Sequence, residues 1–242
     1  LNAKSEKYTA IYAYETDLTI KDCIVNAKGN YGIAGRNGST EKLLISKATV
    51  TAEGERGSIC DFKEITLEDC AITQPAGAEF DESMKAVVLN GEVVTSEVKI
   101  EPITYYALEI CGTQVTSDNC GDLSVIDGVE GTVKYDPDSK TLTLEGATIN
   151  STTTNAIVLY RGDLTIKVIG TNSLTTTDNA TLSFKSPLTL TGGGTLNVKS
   201  QTDCAVYANR TNLTINNCTV NAESGAYGIA GRDGSNEKLR IR

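Results

Sequence analysis

Apolar and polar residues alternate over short stretches throughout this chain, and one alternating triplet keeps returning. It reads Leu18-Thr-Ile, Leu43-Leu-Ile, Ile65-Thr-Leu, Leu142-Thr-Leu, Leu164-Thr-Ile, Leu188-Thr-Leu, Leu213-Thr-Ile and Leu239-Arg-Ile, with 22 to 26 residues between consecutive copies inside two blocks. A period of two is the mark of a strand with one face buried. Five residues beyond the leading apolar residue stands a small one (Cys23, Ala48, Cys70, Ala147, Cys218). Two further stands a β-branched one (Val25, Val50, Ile72, Ile149, Val220). After a Gly- or Asn-rich stretch comes a third short apolar strand, centred on Ile11, Ile33, Ile59, Ile157, Leu182, Val206 or Ile229. Three short strands per period predict one coil of a parallel β-helix, with like residues stacked in columns about 4.8 Å apart. A leucine-rich repeat has a similar period, but its LxxLxLxxN motif and helical return are missing. The expected fold is therefore all-β, a right-handed parallel β-helix, the hand following from the rule for parallel crossovers. The two apolar residues of every triplet but the last, Leu239-Arg-Ile, are expected in the core.

The stretch from about Pro75 to Gly131 breaks the period. Val87-Val-Leu-Asn90-Gly91-Glu-Val-Val94 predicts a hairpin on an Asn-Gly turn, and Val133 to Leu142 predicts a second hairpin. Open solenoid ends expose core and unpaired strands, so the hairpins are expected as caps. A longer repeat fits the same picture. Residues 1–46 return as 196–242, with 28 of 46 aligned positions identical and one inserted residue near Ser224. That offset of about 195 residues is the size of a domain. The chain then reads as a window on a tandem array: 1–102 as the C-terminal part of one module with its capping hairpin, 103–242 as the N-terminal part of the next.

Composition narrows the chemistry. With 39% hydrophobic and 22% charged residues the chain is globular rather than disordered. It contains no His, which removes His-based acid–base catalysis, the Ser–His triad and His-containing metal sites. A formal charge of −9 argues against nucleic acid as a partner. No apolar run is long enough to cross a bilayer. The seven cysteines include no CxxC pair, so zinc has no support. Cys23, Cys70 and Cys218 share a coil position with alanines and are expected as buried thiols. No cofactor is implied.

Several segments resemble a family of secreted, surface-attached tandem-repeat proteins of anaerobic gut-type bacteria. They are Leu108-Glu-Ile-Cys-Gly112-Thr-Gln-Val-Thr116-Ser-Asp-Asn119, Gly131-Thr-Val-Lys-Tyr135 through Leu144, Gln74-Pro-Ala-Gly-Ala78, and Val88 to Ile100. Proteins of that family are described as carbohydrate-binding or adhesin-like, with a pectate-lyase-like β-helix. The resemblance implies an extracellular, cell-surface location and a glycan or host surface glycoprotein as partner. Cys111 and Cys120 stand where that family has small residues. They flank a turn, and an extracellular setting permits a disulfide between them.

Two stretches draw attention as sites. Gly32-Ile-Ala-Gly-Arg36-Asn-Gly38 and Gly228-Ile-Ala-Gly-Arg232-Asp-Gly234 are the most faithful part of the long repeat. They read either as a turn whose glycines take positive φ or as a polar–aromatic platform. The platform would be Tyr12, Tyr31 and Arg36 in one copy and Tyr207, Tyr227 and Arg232 in the other. Arg161-Gly162-Asp163 spells an integrin-recognition tripeptide, but Gly followed by Asp also suits a tight turn into a strand. Sequons at Asn37, Asn150, Asn179, Asn209, Asn212 and Asn217 follow from a Thr- and Asn-rich composition. Asp22 and Asp69 fall in one column with Lys47 between them, which reads as a charge ladder rather than a glycosidase pair. No catalytic residue is assigned. The expectation is a non-catalytic adhesive module binding glycans weakly and multivalently, with end-to-end self-association possible at its open ends. The alternatives are a structural stalk or spacer, and a binder of a host protein such as a mucin or an immunoglobulin.

Overall fold

The computed structural model describes residues 1–37, 40–232, 234 and 237–242. Strands and turns make up nearly all of it, the exception being a single 3-10 turn at Leu123–Val125. No helix among the described residues is long and apolar enough to cross a membrane. The chain divides into two compact units, Leu1–Ile103 and Thr104–Arg242, and each is a β-solenoid of parallel coils.

In the first unit the recurring triplets stack as predicted. Strands Leu18–Lys21, Lys42–Ser46 and Glu64–Glu68 run parallel, with Leu18 beside Leu43 beside Ile65 and Ile20 beside Ile45 beside Leu67. A neighbouring sheet pairs Asn2–Lys4, Ile24–Ala34 and Thr49–Cys60, also in parallel, so that Ala3, Ala27 and Ala52 form one column. Ile45, Val50, Ala52, Ile59 and Phe62 are wholly buried between the sheets. Of the fourteen residues expected in the core, only Leu18, Ile65 and Leu67 are half-buried, because they lie on the unit's outer coils.

The coil-to-coil turns also repeat. Asp22, Lys47 and Asp69 take positive φ of 49°, 48° and 52°, the left-handed geometry that Asp and Asn tolerate better than most residues. Backbone bonds then tie each turn to the next coil, Asp22 N–H to Ser46 and Lys47 N–H to Glu68.

The hairpin of Ala86–Leu89 with Glu92–Val93 forms on Asn90-Gly91, whose φ values of 53° and 79° suit the tight turn that matches strand twist. Its first strand pairs antiparallel with Thr49–Cys60 through Ala86 and Cys60. The strand after it, Val98–Pro102, departs from the repeat. It enters antiparallel between Thr49–Cys60 and Cys70–Gln74, so Ile100 pairs with Val50 on one side and Ile72 on the other. Val50 and Ile72, expected to stack directly, are thus separated by an inserted strand.

The second unit opens on two hairpins, Tyr105–Ile110 with Thr113–Thr116 and Val129–Asp136 with Thr141–Ser151. Parallel coils follow. One sheet stacks Ile157, Leu182, Val206 and Ile229; another stacks Leu164, Leu188, Leu213 and Leu239. Leu142 does not join the latter column. It pairs with Ile166, and Leu144 pairs with Val168, two residues away from the expected register. Ile149 likewise stacks on Leu174 in the column of Ala222, not in that of Val220. A slip of two residues keeps the same side chains inward, so an alternating pattern does not reveal it.

The two copies of the long repeat share an asparagine ladder. Asn26 Nδ2 donates to Asn2 Oδ1 at 2.8 Å, and Asn221 Nδ2 donates to Asn197 Oδ1 at 2.8 Å. They differ where the extra residue lies. Ile24–Ala34 is one continuous strand, whereas its counterpart is split into Thr219–Ser224 and Ile229–Gly231.

Candidate functional site

The Gly32–Arg36 segment is shaped by close approach rather than by the expected positive φ. A side chain on Gly32 would run into the carbonyl of Ser58, and one on Gly35 into that of Asp61, both on the next coil. Neither glycine has positive φ, nor do Gly228 and Gly231, whereas Gly234 of the second stretch takes the expected positive φ, at 70°. Gly38 and Asp233 of the two repeated stretches, and Ser39 of the Asn37 sequon, lie outside the described residues.

One carboxylate clasps this segment. Glu41 is buried to 1% exposure, and its Oε1 accepts the Glu15 N–H at 3.1 Å while its Oε2 accepts the Thr40 N–H at 3.3 Å. Its own backbone N–H, then those of Thr40 and Arg36, hold the carboxyl below the ordinary glutamate range. Glu237 repeats the arrangement: its Oε1 accepts the N–H groups of Arg210 and Arg232, each at 3.1 Å.

Beside the clasp the surface opens into a groove of about 490 Å³ lined by Tyr8, Tyr12, Tyr31, Arg36, Asn30 and Asp61, among others. All three residues singled out in the first copy of the repeat therefore meet at one site. Tyr12 comes from strand Thr9–Tyr12 and Tyr31 from the adjacent Ile24–Ala34, with Thr9 paired to Tyr31 and Tyr12 to Ala34. Tyr31 rests on a small cluster of Ala34, Cys60, Ala86 and Val93, so the capping hairpin supports its ring. Tyr8 and Tyr12 are open to solvent, at 76% and 51% exposure.

Arg36 is fixed from two sides. Its guanidinium lies 4.7 Å from the centre of the Tyr14 ring and pairs with the Glu15 carboxylate. Tyr14 in turn meets Tyr12 edge to face at 6.0 Å. Burial raises the Asp61 carboxyl above its ordinary range, and the neighbouring Cys60 thiol is pushed up to about 12 by burial and by Asp61.

Tyr8, Tyr14, Glu15 and Asp61 were not foreseen. The signal for the tyrosines was present, since Tyr8, Tyr12 and Tyr14 lie an even number of residues apart, as residues on one face of an extended segment do. Glu15 and Asp61 come from a turn and from the next coil, which spacing alone does not bring to this face.

Of the second set, Tyr207 holds the equivalent ladder position, opposite Ala230 as Tyr12 is opposite Ala34, whereas Tyr227 lies in the break between Thr219–Ser224 and Ile229–Gly231. Tyr227 is 67% exposed and Tyr207 half-buried. Asp203 and Asn209, however, stand where the first copy has Tyr8 and Tyr14, so the second set has fewer rings. Cys111 and Cys120 are free thiols rather than a disulfide. Cys111 sits in the hairpin turn and its Sγ faces the Asn150 carbonyl at 3.6 Å; the Cys120 Sγ turns back to the Ser117 carbonyl at 3.7 Å. Cys70 is buried as expected, but Cys218 is half-buried and Cys23 exposed, each lying on an outer coil.

Open aromatic faces beside a fixed guanidinium and an amide suit a ligand with apolar C–H faces and a rim of hydroxyls. Comparison with known proteins points the same way. No curated protein and no solved structure matches the chain. Residues 112–236 match the family model of carbohydrate-binding domain-containing proteins, a span that includes Tyr207, Tyr227 and Arg232 and leaves the Tyr12 groove outside. The span is 125 residues (236 − 112 + 1) of 242, more than half. The chain belongs to the family of carbohydrate-binding domain-containing proteins.

Proposed function

We propose that this chain is a non-catalytic, glycan-binding module of a secreted bacterial cell-surface protein, adhesive through weak sites repeated along an array. The observation that carries the reading is the groove of Tyr8, Tyr12, Tyr31 and Arg36 in a chain of a carbohydrate-binding family. Repetition strengthens weak contacts by raising the effective concentration of each further site. Ring-against-sugar packing is tested by titrating the intact chain with the strongest binders from a glycan array. The Tyr12→Ala, Tyr31→Ala double variant is expected to bind at this groove about tenfold more weakly or worse, roughly the effect of one lost anchor. Tyr12→Ala alone, at an exposed ring, should leave the thermal midpoint close to that of the wild type, whereas Tyr31→Ala should lower it somewhat by losing its packing on Ala34, Cys60 and Ala86.

The absence of catalysis is supported by what the aligned carboxylates do. Asp22 and Asp69 sit in left-handed turns, and Asp69 is ion-paired to Lys47 at 3.6 Å, so they serve the coil. Reducing-end assays on polysaccharides that bind should detect no cleavage. Surface labelling of the producing cells with an antibody to the chain tests the location. End-to-end self-association through unpaired strand edges would read in sedimentation velocity as a concentration-dependent rise in mass. If no glycan on the array binds the intact chain, a stalk, or a binder of host protein such as mucin or immunoglobulin, takes its place.

A further inference from the structure

The turn at Arg161-Gly162-Asp163 lacks the props that its sister turns share. In those turns the residue just before the Leu-Thr-Ile strand is a strut to the next coil. Asp17 Oδ1 accepts the Lys42 N–H at 2.9 Å, and Asn212 Oδ1 accepts the Lys238 N–H at 3.0 Å. Three residues before each strand, the N–H groups of Glu15 and Arg210 donate to the clasping carboxylates of Glu41 and Glu237.

Asp163 and Arg161 occupy these same two positions, since Leu164 stacks on Leu188 as Leu18 does on Leu43 and Leu213 on Leu239. The next coil, however, offers Pro187 where Lys42 and Lys238 stand, and Ser186 where the glutamates stand. Proline has no N–H to donate, and serine carries no carboxylate to clasp with. Both struts are therefore missing. Arg161 and Asp163 are exposed, and among the described residues neither side chain has a hydrogen bond or ion pair. Their chemistry does not serve the fold.

Both instead line a groove of about 410 Å³ with Tyr105, Tyr135 and Lys140. Tyr105 presents a ring at 54% exposure, and Tyr135 is held edge to face against Tyr106 at 5.2 Å. We propose that this groove is a second sugar-binding site, one that recognises a sugar with free vicinal hydroxyls. Asp163 accepts from the two adjacent hydroxyls, Arg161 and Lys140 donate to oxygens on either side, and Tyr105 packs against a C–H face. A wall of a groove presents the tripeptide poorly to a protein receptor that must close over it, which favours the sugar. The proposal rests on the carbohydrate reading above but on different residues.

The test uses the whole chain and immobilised mannan, galactan and β-glucan, each before and after periodate cleavage of vicinal diols. In a Tyr12→Ala, Tyr31→Ala background, which disables the other groove, one intact polysaccharide should still bind. Periodate treatment, Asp163→Ala or Arg161→Ala should each weaken that binding at least tenfold. Asp163→Ala should leave the thermal midpoint unchanged, whereas Asp17→Ala should lower it. If the double tyrosine variant already loses all binding, the glycan reading stands and the second site falls. If none of the polysaccharides binds the wild type, the second site falls, and the glycan array decides the carbohydrate reading separately. A drop in thermal midpoint for Asp163→Ala equal to that of Asp17→Ala makes Asp163 a strut and overturns the proposal. Cell adhesion abolished by EDTA and by Asp163→Ala, with no polysaccharide bound, assigns the turn to a cation-dependent receptor and overturns it too.

Discussion

Glu41 shows how one side chain can hold together a turn, a loop and the next coil. Its carboxylate accepts backbone N–H groups from Glu15, Thr40 and Arg36, and it is most useful when ionised. Because its folded pKa lies below the ordinary value of 4.5, its contribution is fully present above that value and is lost as pH falls through the lowered one. Glu41→Gln should therefore lower the thermal midpoint at pH 7, and the gap to wild type should close as the pH is taken well below 4.5. Melting curves across acid pH check both halves. The cysteines give a second prediction at this scale. Exposed Cys23 should be the first of the seven to react with a thiol reagent under native conditions, while buried Cys60, with its thiol pushed up to about 12, should be among the last. Peptide mapping after timed alkylation gives the order.

Among elements, the lesson of the sequence depends on which signal each one carries. The stacked triplets and the Asn90-Gly91 hairpin were legible because alternation and turn chemistry are local. The register of Thr141–Ser151 was not, since a two-residue slip leaves Leu142 and Leu144 on the inner face. Nor was the insertion of Val98–Pro102, whose alternation fits a strand but does not say which neighbours it has. Of the site, repetition pointed to Tyr12, Tyr31 and Arg36, whereas Asp61 reaches the groove only through coil stacking. Tight stacking also makes the small residues exacting. Gly35→Ala would push a methyl against the Asp61 backbone and should cost about 1–3 kcal/mol, the usual range for overpacking. Gly121→Ala meets nothing within 4 Å and should be near neutral, and urea unfolding of the two variants compares them directly.

For the whole chain, the same sequence position carries different weight in different coils. Ile45 and Leu67 share one column, yet Ile45 is wholly buried and Leu67, on an outer coil, is half-buried. Ile45→Ala should therefore destabilise its unit by about 2–5 kcal/mol, and Leu67→Ala should cost less, as chemical denaturation would show. The repeated surface follows the same rule: one copy carries rings at Tyr8 and Tyr14 where the other has Asp203 and Asn209. The strand Val98–Pro102 bears on how such a scaffold can lengthen over generations. It occupies the hydrogen-bonding row between Thr49–Cys60 and Cys70–Gln74 that one more parallel coil would need. Duplicating a single coil upstream of it lengthens the stack and leaves this stop in place. Duplicating past it yields a chain that must begin again with its own opening hairpins, as Tyr105–Ile110 and Thr113–Thr116 do. Gene growth in such a protein is thereby quantised, adding either one turn of the screw or a whole new screw.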